Sequence, residues 1–259
     1  MSLHTYRADG AGLPLVLLHG FPLDHRMWDD VAARLPAGRP VLAVDLPGTP
    51  GHATDLPEPA LEASADLVAD ELRAAGVDRA VIAGLSMGGY VALALLERHP
   101  ELVAGLALVD TKSTADTPEA RANRLRIADE AQESGSVDPV RAMPSSMLGE
   151  TTRTARPDLT DTVAGWIGDQ EPAGIAWSQR AMAARPDRSQ VLIDYDGPVA
   201  VLVGDEDTVT PVAAAEHMVA ITPYARLVVI PRAGHLSSVE QPVPVAEALA
   251  DLAQAADHA

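Results

Sequence analysis

Six short stretches of this chain, residues 13–18, 41–44, 80–83, 106–109, 199–203 and 227–230, are apolar without alternation. A strand with one wet face alternates apolar and polar positions, so unbroken runs of this length predict strands covered on both faces, as in a parallel sheet. Helical patterns lie between them. Met27, Trp28, Val31, Ala32 and Leu35 fall on one helical face, and Pro59 and Gly76 bracket a stretch carrying Leu61, Val68 and Leu72. The expected architecture is therefore an α/β fold with a mostly parallel, doubly wound sheet. Right-handed crossovers place its ligands beyond the carboxyl ends of the strands.

The strand rhythm stops between residues 111 and 196, a polar stretch rich in Arg and Asp and punctuated by Pro118, Pro139, Pro144, Pro157, Pro172 and Pro186. This segment is expected to be an inserted helical cap that folds over the strand ends as a lid, with residues 1–110 and 197–259 forming the core. The core must be built from Ala, Val and Leu, because the chain has only one Phe, three Trp and four Tyr. Its few large rings, Trp28, Trp166, Trp177 and Tyr90, then stand out as candidate pocket walls.

A formal net charge of -18 argues against nucleic-acid or anionic-membrane partners, which need clustered Lys and Arg. The absence of cysteine excludes a thiolate nucleophile and Cys-ligated zinc. No basic-then-apolar leader opens the sequence and no apolar run spans a bilayer, so a cytoplasmic location is the expectation.

Residues at the strand ends carry the chemistry. Gly84-Leu85-Ser86-Met87-Gly88 follows one apolar run and precedes another at 90–96, which gives G-x-S-x-G its strand–turn–helix setting. The glycines let strand and helix approach around a serine held in a sharp turn. A serine hydroxyl is a weak nucleophile near neutral pH and needs an adjacent base. His235, on a Gly-bearing loop just past the last apolar run, fits best; His4, His25, His52, His99, His217 and His258 are expected at the surface. The base in turn needs a carboxylate. Asp207 in Gly204-Asp205-Glu206-Asp207 is the choice, with Asp110 the rival because it too ends a strand, and with Asp205 and Glu206 expected as solvated loop charges. Donors for a tetrahedral oxyanion are expected from the backbone N–H of Met87 and, after the first apolar run, that of Phe21. His19 is expected to hold that loop by hydrogen bonding.

These motifs together, HGFP at 19–22, DLPG at 45–48, GLSMGG at 84–89, GDEDTVTP at 204–211 and AGHLSSVEQP at 233–242, make the chain resemble the α/β-hydrolase family. The resemblance implies an acid three residues after the glycine of the fourth motif, which is Asp207. It departs at Thr49-Pro50-Gly51, where relatives run on to another glycine. Within the family the chain looks similar to small esterases and 3-oxoadipate enol-lactonases, implying a carboxylic ester cleaved through an acyl-enzyme on Ser86, with no metal or organic cofactor. Enol-lactone hydrolysis and cofactor-free perhydrolase or haloperoxidase chemistry use the same residues. A ligand receptor or lyase on the same fold is the alternative of a different class. Met143, Met147, Trp166, Trp177 and Met182 in the insertion are the candidates for an apolar acyl pocket. The partner expected is a small-molecule ester or lactone; the sequence does not give the oligomeric state.

Overall fold

A computed structural model describes residues 1–53 and 56–259. Seven strands, β1 (Ser2–Arg7), β2 (Leu15–Leu18), β3 (Val41–Asp45), β4 (Ala80–Leu85), β5 (Val103–Val109), β6 (Val199–Gly204) and β7 (Ala225–Ile230), form one sheet in the order β1-β3-β2-β4-β5-β6-β7. All six expected strands are present and run parallel to one another, in register from Leu15 against Val41 and Val81 to Gly204 against Ile230. The seventh, β1, pairs antiparallel with β3. Its sequence, SLHTYR, holds no apolar run because an edge strand is only half covered. The inner strands β2, β4, β5 and β6 are buried at every position.

Strand β2 lies between β3 and β4, so the chain leaves it in one direction and returns on its other side. That reversal opens a crevice beyond the carboxyl ends of β2 and β4, the usual place for a ligand in a doubly wound sheet. The residues next in sequence are His19-Gly20 and Ser86.

Between β5 and β6 every element is helical, the longer ones being Pro118–Ser134, Pro157–Gly168 and Pro172–Ala184. The prolines that punctuate this segment mostly begin helices: Pro118, Pro144, Pro157 and Pro172 each stand at a first position, where a missing N–H costs nothing. Thr117 caps the first helix by accepting from Ala120 N–H, and Gly135 ends it at φ +60°. The segment lies over the strand-end loops, with Gly51 N–H donating to Glu171 (2.7 Å) and Trp177 Nε1 to the Pro57 carbonyl (2.7 Å). Trp28, a candidate pocket wall by sequence, is instead wholly buried in the core. Among the described residues no helix is long and apolar enough to cross a membrane.

Candidate active site

Ser86 sits between β4 and the helix Met87–Arg98 with φ +51° and ψ −111°. A non-glycine residue in that region carries strain of order 1–3 kcal/mol and persists only where its surroundings over-determine it. They do so here. Ser86 N–H donates to the Val109 carbonyl (2.9 Å), and the Thr111 hydroxyl donates to the Ser86 carbonyl (2.8 Å). The flanking glycines are dictated by contact: a Cβ on Gly84 would lie 2.2 Å from the Gly88 carbonyl oxygen, and one on Gly88 2.2 Å from that of Leu18.

His235 faces this serine, with Nε2 2.8 Å from Ser86 Oγ and Nδ1 2.8 Å from Asp207 Oδ2. Asp207 also accepts N–H groups from Val209 (2.7 Å) and Thr210 (2.9 Å) on Oδ1, and the Thr210 hydroxyl (2.7 Å) on Oδ2. Burial alone would raise its pKa, but the hydrogen bond and charge of His235 together with the Thr210 bonds hold it below its ordinary value. An ionised Asp207 requires the proton on His235 Nδ1, which leaves Nε2 as the acceptor for the Ser86 hydroxyl. For His235 burial works against the charged form, yet Asp207, Asp110 and Glu240 outweigh it and raise its pKa. The arrangement can take a proton from Ser86 and stabilise the imidazolium that results.

Asp110 is fully buried at φ +44° but does not bond the imidazole. Its Oδ1 accepts Gly204 N–H (2.9 Å) and its Oδ2 accepts Ser237 N–H (3.0 Å), joining the loops that carry Asp207 and His235. Burial and the charge of Asp207 push its pKa up to about 7. Of the two acids weighed from sequence, the one in contact with His235 is Asp207.

Phe21 and Met87 border one cavity with His19, Pro22, Gly48, Gly174 and Ile175. Its volume is about 10 Å³, the room of about one water. Among the described residues neither the Phe21 nor the Met87 N–H has a hydrogen-bond acceptor in the protein, as an oxyanion site requires. His19 holds the loop: Nδ1 lies 3.1 Å from the Gly20 carbonyl and Nε2 accepts Leu46 N–H (2.9 Å). Burial lowers its pKa, which suits a neutral, bridging imidazole. The departure at Thr49-Pro50-Gly51 forms a turn in which His52 N–H bonds the Thr49 carbonyl (2.8 Å). Beside it Gly48 lies so close to the inserted segment that a Cβ on Gly174 would fall 1.7 Å from the Gly48 carbonyl oxygen.

The five residues named as an acyl pocket are spread through the insertion, and none borders that cavity. Trp177 donates to Pro57, Met182 Sδ accepts Arg124 Nη1 (3.3 Å), the Met147 carbonyl accepts His235 N–H (2.7 Å), Arg26 covers the Trp166 ring, and Met143 packs partly buried against the core.

Glu206, expected as a solvated charge, instead accepts both the N–H (2.8 Å) and the hydroxyl of Thr151 in the insertion. His4 and His25, expected at the surface, are half-buried and stack on each other at 4.2 Å, and His25 Nδ1 faces Asp45 (2.9 Å). Asp24, His25 and Asp45 bring possible ligand atoms together, but both oxygens of Asp24 are already held by Arg26 (2.8 and 2.7 Å).

Two features went unread in the sequence. Thr210 closes an Asx-type turn on Asp207 and could have been found from the three-residue spacing. Asp116 in the insertion, half-buried as a residue but with its side chain covered, is ringed by three cations: Arg185 bidentately (2.8 and 2.8 Å), Arg124 (2.6 Å) and Lys112 (3.3 Å). Arg185 also lies over the Tyr90 ring, 4.0 Å from its centre, on the helix that Ser86 begins.

Residues 14–242 match the family model of the alpha/beta hydrolase fold. A pimeloyl-[acyl-carrier protein] methyl ester esterase of Aromatoleum aromaticum is 31% identical over 250 residues, covering 92% of this chain and 97% of that protein. A 2-succinyl-6-hydroxy-2,4-cyclohexadiene-1-carboxylate synthase of Enterobacter sp. is 29% identical, with 95% and 94% covered. The solved structure of a thermophilic esterase from Thermogutta terrifontis, with malate bound, superposes at a TM-score of 0.93 with 34% identity, covering 99% of this chain and 93% of that one. The chain belongs to the alpha/beta hydrolase family, and the Aromatoleum and Thermogutta relatives among those above are esterases, which makes it a carboxylic ester hydrolase.

Proposed function

We propose that this protein is a serine hydrolase that cleaves a carboxylic ester through an acyl-enzyme on Ser86. The observation that carries this is the unbroken line from Ser86 Oγ through His235 to Asp207, 2.8 Å at each step, with the N–H of Met87, the residue after the nucleophile, and that of Phe21 across the same cavity both without a protein acceptor. His235 Nε2 takes the hydroxyl proton as Ser86 Oγ attacks the ester carbonyl, and the developing alkoxide is held by the N–H groups of Phe21 and Met87. Collapse expels the alcohol, which receives the proton from His235. Water activated by the same nitrogen then releases the acid and frees Ser86.

In this reading residues 111–196 act as a cap that shifts to admit substrate, since Gln170, Gly174, Ile175 and Ser178 of that segment close the cavity beside Phe21 and Met87 down to room for about one water. The three cations around Asp116 exceed its single charge, next to a helix that begins at the nucleophile. Together with malate in the Thermogutta esterase, this favours acyl groups that bear a second carboxylate. The pimeloyl esterase relatives support a methyl or other small alkoxy leaving group.

The second reading is a lyase, favoured by the kinship to the Enterobacter synthase; there His235 would abstract a carbon-bound proton and no acyl-enzyme would form. Fluorophosphonate labelling followed by a nitrophenyl-ester and lactone panel tests the proposal. Covalent modification of Ser86 with a burst of nitrophenol is the expected result. An unlabelled Ser86, or turnover without a burst under rapid-quench conditions together with lyase activity, would overturn it.

A further inference from the structure

Glu240 is a buried carboxylate for which the acyl-transfer steps have no use. It ends the helix Ser237–Glu240, five residues beyond His235, and is 1% exposed. Its Oε1 accepts the N–H groups of Gly234 (2.8 Å) and Leu236 (3.2 Å), the two neighbours of His235. Its Oε2 accepts the N–H of Gly149 (2.8 Å), which lies in the inserted segment.

The same junction is closed by the backbone. His235 N–H donates to the Met147 carbonyl (2.7 Å). A Cβ on Gly234 would fall 2.4 Å from Gly149 N, and one on Gly149 2.9 Å from Gly234 N, so the two segments touch main chain to main chain. Residues 147–149 therefore lie along the histidine loop as a short unpleated partner.

Burial raises the pKa of the Glu240 carboxyl, and the three N–H groups that bond it work the other way, toward the ionised form. Those N–H groups would in turn be orphaned in a loop that offers no ladder. With the peptide planes on both sides of His235 fixed, its Cα–Cβ direction is fixed as well. The imidazole can then reach Ser86 and Asp207 together.

We propose that Glu240 is a positioning residue, which aligns His235 and ties it to residues 147–149, so that the seating of the cap and the alignment of the base are one mechanical unit. This rests on the serine-hydrolase reading above. The titratable groups acting on His235 are Asp207, Asp110 and Glu240. Around Glu240 stand Glu206, which shares contact with Gly149, and Arg156, whose guanidinium donates to the Glu240 carbonyl (3.2 Å).

The test compares wild type with Glu240→Gln, each normalised to the amount of Ser86 titrated by fluorophosphonate. Glutamine keeps the size but turns an NH2 toward one of the three donors. A misaligned base is expected to lower kcat by about ten-fold or more while KM stays within about two-fold. The acidic midpoint of the kcat–pH profile is expected to move down, because one anion facing His235 is gone. An unchanged kcat per titrated serine, or a lower Tm with the pH midpoint unmoved, would overturn the proposal.

Failure of the hydrolase reading is separate, since it would appear as wild-type protein that neither labels nor turns over esters. Should Glu240→Gln not fold, amide exchange in the wild type decides: Gly149, Gly234 and Leu236 are expected to exchange at one slow, common rate. Exchange of Gly149 far ahead of Gly234 would show that no such tie exists.

Discussion

Asp110 and Asp207 both follow the ends of adjacent strands and both face the His235 loop, yet only Asp207 touches the imidazole, at 2.8 Å. Asp110 spends its two oxygens on backbone N–H groups. The pair separates orientation of the base from construction of the loops. Asp207→Asn is expected to lower kcat by roughly 10³-fold or more, through the wrong tautomer, with little change in Tm. Asp110→Asn is expected to lose one N–H acceptor and about 1–3 kcal/mol of stability while keeping kcat within about ten-fold. Steady-state kinetics and urea unfolding on both variants check this, and the reverse pattern would reassign the acid.

Ser86 stands at φ +51°, so its substitution separates chemistry from strain. Ser86→Ala should abolish turnover and leave the thermal transition in place, since the hydroxyl adds little packing. Ser86→Gly should be equally inactive yet more stable, by about 1 kcal/mol, because glycine adopts that backbone without a Cβ clash. Calorimetry of the two variants side by side measures the difference. A less stable glycine variant would mean that the turn is not strained.

The pKa of His235 is raised above its ordinary 6.5, with burial opposed by Asp207, Asp110 and Glu240. The imidazolium therefore persists to higher pH than a free histidine would, and the neutral base appears only above it. Ester hydrolysis is expected to fall on the acid side with a midpoint above 6.5. The stability term has the opposite sense: the proton held by the folded chain stabilises it fully below 6.5, and that contribution is lost as pH rises through the folded pKa. A kcat/KM profile and a Tm profile over the same pH range test both signs.

Arg185 closes the ring of cations on Asp116 and covers Tyr90. Arg124→Gln is the milder probe, because Arg185 keeps its bidentate hold on Asp116. If a second carboxylate of the acyl group docks here, KM for half-esters of dicarboxylic acids should rise about ten-fold or more in this variant, while KM for neutral esters stays within about two-fold. Equal effects on both substrate classes would remove the carboxylate from the proposal.

The inner strands were legible because burial on both faces leaves no room for polar residues, as in β4 and β5. Strand β1 was not, since an antiparallel edge strand needs no apolar run. Ser86, Asp207 and His235 were readable because each follows a strand within a glycine-bearing turn, and the fold brings those three side chains together. The partners of Glu206, Glu240 and Asp116 were not. Each is a carboxylate with at least one partner far off in sequence, such as Glu240 with Gly149 and Asp116 with Arg185, and a lone acid in a polar stretch gives no sign of what it will meet. The candidate pocket in the insertion was hardest for the same reason, because helix faces reveal burial but not which neighbour provides it.

The contact of Gly174 with Gly48 bears on how a substrate is chosen. If, as proposed above, substrate enters past this contact beside the one-water cavity that Phe21 and Met87 border, entry is a gated event, and the observed affinity of an ester is its intrinsic affinity scaled by the fraction of molecules ajar. Selection then acts partly on the latch. Two esters with identical acyl contacts will differ in KM when one of them holds the gate apart at less cost, so changes at this glycine pair would retune preference without touching Ser86.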